Sequence, residues 1–300
     1  MSKHLNFAAA LKSFEGYLEG TSKSEHTIRN YHFDLLAFEK FLLSYDKRPE
    51  VKLEELDQSY IEEFHNWLKK DGLKTNTRRR KLHTVRKFLG YLSRRKKVPE
   101  TLDRKVAAPQ KVERIPFIVP SEVLIGAIRA LPVETVLDRR NRILLWTLAE
   151  TGCQVSELRQ IRFEDWQCSD EHSGNCALRL HGKAGRTLPV SRDLLAAVQE
   201  LPLNATDYLF IGFNKFGPLG LGGAITARGV ELLVRSYASR LLSEEAEELT
   251  PRTFRHSAVV HWYVNGIKRD EIQKRLGLKT AYAFRSYEPL FAAHTVKSSS

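Results

Sequence analysis

Cysteine is scarce in this chain of 300 residues, and no long apolar run interrupts it. Cys153, Cys168 and Cys176 have no C-x-x-C spacing, and an odd number of cysteines cannot form a complete internal disulfide framework. No apolar stretch approaches the roughly 18 residues that suggest a membrane span, and residues 1–20 lack the basic start and cleavage site of a signal peptide. These absences argue against a secreted or membrane protein, and we expect a reducing, cytoplasmic location.

Acidic residues are also in deficit. The chain has 36 Asp and Glu residues against 48 Lys and Arg residues, a formal net charge of +12. This balance favours a polyanionic partner, and nucleic acid is the first candidate. Hydrophobic residues at 42% and charged residues at 28% are ordinary globular values, which exclude a disordered or fibrous chain. The length favours two domains.

The positive charge is concentrated between Lys69 and Arg114. This segment holds seventeen Lys and Arg residues and four Asp and Glu residues, so its net charge of +13 exceeds that of the whole chain. A helix predicted to begin after Lys74 carries many of these cations without matching carboxylates. A solvated helix face usually mixes the two signs, so we favour phosphate binding over simple solvation. The candidate DNA contacts are Arg78, Arg79, Arg80, Arg86 and Lys87.

Helical periodicity dominates both sides of a proline-containing segment. Apolar residues recur every three or four positions over Ser24–Tyr45 and again over Ser59–Lys70. The stretch 99–120 contains four prolines and no sustained period, which is typical of a connector. We predict a helical domain over 1–108, a linker over 109–118 and a second domain over 119–300.

A β-hairpin is predicted among the helices of the second domain. Ala177–His181 and Thr187–Ser191 alternate apolar and polar residues, and a glycine-containing basic turn joins them. The turn carries Lys183 and Arg186, which have no local partner of opposite charge. A lysine at a turn is most often merely solvated, so the hairpin alone indicates no site. Flanking helices are expected over Ser121–Leu131, Asp138–Glu150 and Thr226–Leu242.

Another basic cluster opens a helix near the end of the chain. Thr250 is a suitable N-cap, and Pro251 suits the first helical position. Arg252, Arg255 and His256 would then share a face beside free backbone N–H groups, where an anion can bind. Ordinary surface cations at a helix start explain the pattern equally well.

Four motifs occur together in a characteristic order. Residues 151–158 read T-G-C-Q-V-S-E-L, residues 182–186 read G-K-A-G-R, and residues 252–256 read R-T-F-R-H. Leu276-Gly277 is followed ten residues later by Tyr287, which we expect on the last helix. In this order and spacing the chain resembles the tyrosine recombinases, the phage integrase family, and most closely its short Xer-like members. The resemblance covers nearly the whole chain.

The resemblance implies a mainly α fold, with a helical, SAM-like core-binding domain and a larger mixed α/β catalytic domain that holds a small antiparallel sheet. It implies a site-specific recombinase that cuts and rejoins DNA through a 3'-phosphotyrosyl intermediate and a Holliday junction, without a metal or other cofactor. The partners would be double-stranded DNA and either further copies of the chain or a related recombinase. Two protomers would bind each site and four would form the synapse, in a bacterial cytoplasm at the nucleoid.

The resemblance also implies roles for individual residues. Tyr287 is the expected nucleophile, Arg255 a phosphate ligand and Lys183 the proton donor to the leaving 5' oxygen. A phenol with a pKa near 10 is a poor nucleophile at neutral pH, so cations or a base must assist it. Guanidinium groups suit this task because they bind phosphate oxygens bidentately and stay charged. Arg186 and His256 are expected to contact DNA.

Three positions depart from the family pattern. Gln154 stands in place of the first arginine, Arg252 in place of a histidine, and Leu278 in place of a histidine or tryptophan. Gln154 keeps an N–H donor but lacks the charge and the fork, and such a loss typically costs about 10²- to 10³-fold in rate. Arg252 is the candidate to restore a cation.

Several functions therefore stay open. The first is a strand-exchange enzyme that is weakened at Gln154, and the second is a degenerate relative that recognises or synapses DNA without cleaving it. The third is an unrelated helical DNA-binding regulator, which has no need to bring Lys183 and Arg255 close to Tyr287.

Overall fold

The computed structural model describes two compact units. It covers residues 6–21, 23–110, 112, 115–168, 176–182, 184–202, 208–212 and 223–295. The units are Met1–Arg114 and Ile115–Ser300, and their division falls inside the stretch predicted as a linker, whose bounds stay a prediction. Both units are mainly helical and the second holds a three-stranded antiparallel sheet, so the predicted fold class is confirmed.

The described part of the first unit contains four α-helices. They are α1 (Phe7–Glu19), α2 (Glu25–Asp46), α3 (Gln58–Lys70) and α4 (Thr75–Ser93). The predictions for α2, α3 and the start of α4 are confirmed, and the Ser24 hydroxyl caps α2 by accepting a hydrogen bond from the Thr27 backbone N–H at 3.3 Å. Helix α1 precedes Ser24 and was not predicted from the sequence. Its buried Phe7, Leu11 and Phe14 have the helical spacing that signals it.

A buried carboxylate corrects the prediction that the cations of α4 lack acidic partners. Asp34 on α2 is 1% exposed. Its carboxylate accepts hydrogen bonds from Lys81 Nζ at 3.2 Å and from Thr84 Oγ1 at 3.0 Å, and it also binds Arg80 Nη1. Because a buried carboxylate needs such partners, two of the cations between Lys69 and Arg114 neutralise Asp34, although the Arg80 side chain itself is 49% exposed.

The second unit surrounds α6 with shorter elements. Its helices are α5 (Ser121–Arg129), α6 (Val136–Thr151), α7 (Val155–Leu158), α8 (Arg192–Gln199), α9 (Ala227–Leu241), α10 (Pro251–Val264), α11 (Arg269–Arg275), α12 (Ala281–Phe284) and α13 (Glu288–Thr295). A capping box between Thr135 and Asp138 begins α6, whose Leu144, Leu145 and Leu148 are fully buried. The helices predicted around α5, α6 and α9 are confirmed to within two residues at each end.

The sheet has the strand order β1, β2, β3. The strands are β1 (Trp166–Cys168), β2 (Cys176–Leu180) and β3 (Arg186–Val190). In the β2–β3 ladder Leu178 lies opposite Leu188, and both are buried. Both hairpin strands begin and end one residue earlier than predicted, and His181, which follows β2, binds Asp165 instead of joining the ladder. No helix in the described part of the chain has the length and apolar composition that crossing a bilayer requires.

Candidate active site

Arg255 on α10 is the centre of the site. Thr250 and Pro251 begin α10 as predicted, and the Thr250 hydroxyl accepts a hydrogen bond from the backbone N–H of Thr253 at 3.2 Å. Arg255 is 7% exposed. Its Nη1 donates to the carbonyl oxygen of Gly152 at 2.7 Å, and its Nη2 donates to that of Leu276 at 2.8 Å. The guanidinium therefore joins α10 to two of the other predicted motifs.

Arg255 has a third hydrogen-bond partner, the hydroxyl of Tyr287. Arg255 Nε donates to this phenolic oxygen at 3.1 Å. Tyr287 is 8% exposed, and its ring packs edge to face against His256, with centroids 5.8 Å apart. It lies in the 3-10 turn Arg285–Tyr287 before α13, which corrects the prediction that it lies on the last helix. The sequence motifs thus converge on an arginine–tyrosine pair.

His256 lies against this pair as a neutral ring. Burial, followed by the positive charges of Arg252 and Arg255, lowers the pKa of His256 to about 4. Arg252 Nε approaches His256 Nε2 at 3.4 Å, one helical turn away, and the Arg252 side chain is exposed. The three side chains do not form one surface beside free N–H groups, as the sequence suggests, because Arg255 and His256 are buried while Arg252 faces solvent.

Gln154 stands at the N-cap of α7. Its backbone N–H donates to Glu157 Oε2 at 2.7 Å, and its exposed side chain accepts a hydrogen bond from Ser156 Oγ at 3.4 Å. Among the described residues, no hydrogen bond joins this amide to Arg255 or Tyr287. Gln154 therefore follows closely after Gly152, whose carbonyl oxygen binds Arg255. Its own side chain takes no part in that contact.

Arg186 has surroundings that the sequence does not reveal. Its guanidinium binds the Glu157 carboxylate, with Nη2 at 3.1 Å from Oε2, and its Nε donates to the carbonyl oxygen of Arg275. The prediction of an unpaired cation at the hairpin tip is wrong, because Arg186 begins β3 and is largely buried. Lys183, the other predicted cation of the hairpin, lies outside the described residues.

The candidate DNA contacts on α4 differ in their exposure and in whether their polar atoms already have partners. Arg78 Nη2 donates to Thr75 Oγ1 at 3.1 Å, and Arg79 Nη1 donates to the carbonyl oxygen of Pro109 at 2.7 Å. Lys87 Nζ donates to the Tyr31 hydroxyl at 2.7 Å. Arg86 and Lys87 are exposed, so they keep the surface position that a phosphate contact requires.

Some groups that complete the site carry no signal in the sequence. The carbonyl oxygens of Gly152 and Leu276 belong to the backbone, so no residue type marks them. Cys153, beside Gly152, is fully buried, and burial raises the pKa of its thiol to about 12, which keeps it a neutral packing group. The described residues contain no cluster of three or more His, Cys, Asp or Glu side chains that could hold a metal ion.

Comparison with protein families gives two matches that together span most of the chain. The model described as phage integrase, N-terminal SAM-like domain, matches residues 11–96. The model described as phage integrase family matches residues 124–292 and thus more than half of the chain.

Individual relatives agree with these matches. Tyrosine recombinase XerC of Myxococcus xanthus is 27% identical over 275 residues, which cover 89% of this chain and 88% of the relative. The solved structure of XerH recombinase bound to difH substrate, in a pre-cleavage complex, has a TM-score of 0.68 at 18% identity and covers 91% of this chain and 79% of that one. A lambda integrase tetramer bound to a Holliday junction has a TM-score of 0.67 at 14% identity, with coverages of 95% and 78%. At these identities the two structures establish the fold.

Proposed function

Because the chain belongs to the phage integrase family, we propose that it is a site-specific DNA recombinase with Tyr287 as its nucleophile. Members of the tyrosine recombinase family are DNA strand-transferring enzymes, and the Myxococcus xanthus relative of this chain is a XerC recombinase. The proposed reaction forms a 3'-phosphotyrosyl intermediate and proceeds through a Holliday junction. The protein would bind duplex DNA as a dimer at each site and as a tetramer in the synapse, or with a related recombinase, at the bacterial nucleoid.

The hydrogen bond between Arg255 Nε and Tyr287 Oη, 3.1 Å long, carries this proposal. A guanidinium stays charged at every relevant pH, so it stabilises negative charge on the phenolic oxygen and on a phosphate beside it. The phenolic oxygen would attack phosphorus and release its proton to solvent water. The bond from phosphorus to the 5' oxygen would break, and that oxygen would take up a proton, for which Lys183 is the proposed donor.

The reaction conserves the phosphodiester as a phosphotyrosyl ester. A 5' hydroxyl of the partner strand would then attack the ester and release Tyr287, so strand joining needs no nucleotide cofactor. Arg255 has five N–H donors, of which Nε and one on each Nη already meet acceptors. A bound phosphate would therefore replace one of these acceptors or share the guanidinium with them.

Gln154 is the proposed weak point of the catalytic apparatus. Its neutral amide cannot supply the charged fork of an arginine, which lowers the expected rate. Arg252 is the proposed compensating cation, because it is exposed and lies one helical turn from His256, which packs on Tyr287. On this proposal Arg252→Ala abolishes the residual cleavage, whereas Arg252→Lys retains part of it.

The alternative is a relative that binds or synapses DNA without cleaving it. The exposed side chain of Gln154, which is bonded to Ser156, favours this alternative. Both functions use the same proposed DNA contacts in the N-terminal domain, 1–108, and differ only in whether Tyr287 becomes covalently attached.

A covalent-trapping experiment separates the two. Duplexes enriched from genomic fragments by binding to the protein are nicked near the bound site and incubated with it, and the products are resolved on a denaturing gel. Cleavage predicts a protein–DNA adduct that disappears in Tyr287→Phe and persists in the control Tyr282→Phe, since Tyr282 is 82% exposed on α12. Bound DNA without any adduct supports the binding protein and overturns the enzyme.

A further inference from the structure

Arg186 is the point at which three separate segments of the second unit meet. It begins β3, its guanidinium binds Glu157 on α7, and its Nε donates to the carbonyl oxygen of Arg275 at the end of α11. The sequence positions of these acceptors differ from that of Arg186 by 29 and 89 residues. A single side chain therefore fixes the hairpin against two distant segments.

Each of the two distant segments supplies an acceptor to Arg255. The segment that contains Glu157 follows Gly152, whose carbonyl oxygen accepts from Arg255 Nη1 at 2.7 Å. The segment that contains Arg275 continues to Leu276, whose carbonyl oxygen accepts from Arg255 Nη2 at 2.8 Å. Arg186 thus binds the two segments whose backbone carbonyl groups orient the guanidinium bonded to Tyr287.

The packing around Arg186 is too close to be an incidental surface ion pair. The side chains of Arg186 and Glu157 are 9% and 13% exposed. Gly277 has a φ of +67°, and a Cβ added there would lie 2.8 Å from Arg186 Nη1. Because both groups have left water, a pair of this kind is favourable only where fixed geometry and further hydrogen bonds offset the cost of desolvation. The backbone conformation at this position therefore favours glycine, and a Cβ there would displace the Arg186 guanidinium from its present position.

We propose that Arg186 is a positioning residue for strand transfer and not a ligand of DNA. It holds the Gly152–Glu157 segment and the Arg275–Gly277 turn in register, so that Arg255 meets the Tyr287 hydroxyl and the scissile phosphate together. This inference rests on the proposed function, because the reaction defines what is positioned. A small misplacement of catalytic groups can lower a rate by about 10²-fold without loss of binding.

The test measures binding and chemistry separately. Single-turnover adduct formation on the enriched nicked duplex is followed over a range of protein concentrations, which gives a plateau rate and a half-saturation point. Arg186→Lys keeps the charge but cannot bridge both acceptors. We expect its plateau rate to fall at least tenfold, with the half-saturation point changed by less than about threefold. The plateau rate of Arg186→Ala should fall further than that of Arg186→Lys, because lysine keeps the charge.

Two further variants separate positioning from failure to fold. Glu157→Gln keeps the shape of the acceptor while removing its charge, and it should lower the plateau rate in the same direction. Arg228→Lys changes an exposed arginine that pairs with Glu231, and it should leave both parameters unchanged. An unchanged plateau rate with a weakened half-saturation point in Arg186→Lys would make Arg186 a DNA ligand and overturn the proposal.

If the wild-type protein forms no adduct, the proposed function is wrong. Hydrogen exchange then tests the positioning role of Arg186 independently of activity. The backbone N–H of Gln154 is bonded to the Glu157 carboxylate, and that of Gly277 to the carbonyl oxygen of Lys274. Arg186→Lys should accelerate exchange in peptides over 152–158 and 274–278, while a peptide from α1 stays unchanged. Unchanged exchange in all three peptides would overturn the positioning role whatever the activity.

Discussion

The cations of α4 and those of the second unit have opposite surroundings. Arg86 and Lys87 on α4 are exposed, whereas Arg255 and Arg186 are buried and bound to backbone carbonyl oxygens or to Glu157. In the sequence both groups are basic residues without an obvious neighbour of opposite sign. The comparison teaches that net charge identifies a polyanion-binding protein, while the acceptors around each cation decide which of them can meet the polyanion.

The two settings predict different consequences of losing a charge. An exposed cation acts through the field at the surface, so its removal weakens DNA binding a little and in a salt-dependent way. A buried guanidinium orients other groups, and its removal leaves their polar atoms without partners. The predictions below test this difference from the largest effect to the smallest.

Replacing Arg255 should have the largest effect. Arg255→Lys keeps the charge but cannot reach Gly152, Leu276 and Tyr287 together, so we expect the rate of adduct formation to fall about 10²- to 10³-fold. The measurement is the plateau rate on the nicked duplex. DNA affinity should stay close to that of the wild-type protein, and a variant that cleaves at the wild-type rate would remove Arg255 from the mechanism.

Removing the buried carboxylate of the first unit should destabilise it strongly. Asp34→Ala leaves Lys81 and Thr84 without their buried acceptor, and we expect the free energy of unfolding to fall by about 3 kcal/mol. Urea unfolding followed by circular dichroism measures the change. The exposed Asp71→Ala is the control, with an expected change within about 0.5 kcal/mol. Equal effects of the two changes would contradict an internal role for Asp34.

Acidification should weaken the second unit through His256. The pKa of this group is lowered to about 4 in the folded protein. As the pH falls, the unfolded chain therefore binds a proton at a higher pH than the folded protein does. Its contribution to stability is therefore constant above pH ~6.5 and is lost progressively as the pH falls from ~6.5 towards ~4.

Between pH ~6.5 and ~5 the expected loss is about 2 kcal/mol. Urea unfolding of the wild-type protein at several pH values measures it, and His256→Gln should flatten the profile in this window because glutamine does not titrate. A profile that is equally steep in both proteins would show that other groups govern the acid transition.

Neutralising one exposed cation of α4 should have the smallest effect. Arg86→Gln should weaken DNA binding by about 1 kcal/mol and reduce the slope of log affinity against log salt by about 1, equally for specific and random duplexes. Fluorescence anisotropy at several salt concentrations measures both quantities. Arg186→Gln should leave this slope unchanged. A reduction of the slope as large as that of Arg86→Gln would contradict the distinction between surface and buried cations.

Local signals explain why part of this architecture is predictable from sequence. Thr250 caps its helix as predicted, and Ser24 and Thr226 cap α2 and α9 in the same way, because a cap depends on a few adjacent residues. The spacing of Phe7, Leu11 and Phe14 also signals α1, so its omission is an error of interpretation rather than a lack of information. The motif order likewise predicts that Arg255 and Tyr287 belong to one site.

Partners that are distant in sequence explain the errors. Asp34 and Arg80 are 46 positions apart, and Arg186 and its acceptor on Arg275 are 89 positions apart. Only the packed fold decides that these cations have such acceptors, because propensity and periodicity describe neighbours within a few turns. The carbonyl oxygens that orient Arg255 are invisible for a further reason, since every residue carries one.

Mass spectrometry of the trapped complex tests the central claim most directly. Protein incubated with the nicked duplex is digested with protease and nuclease, and the peptides are searched for a nucleotide adduct. The account predicts a nucleotide linked through its 3' phosphate to the peptide that contains Tyr287, at the phenolic oxygen that Arg255 holds. A cleaved duplex with the nucleotide on another residue, or a tightly bound duplex with no modified peptide, would contradict it.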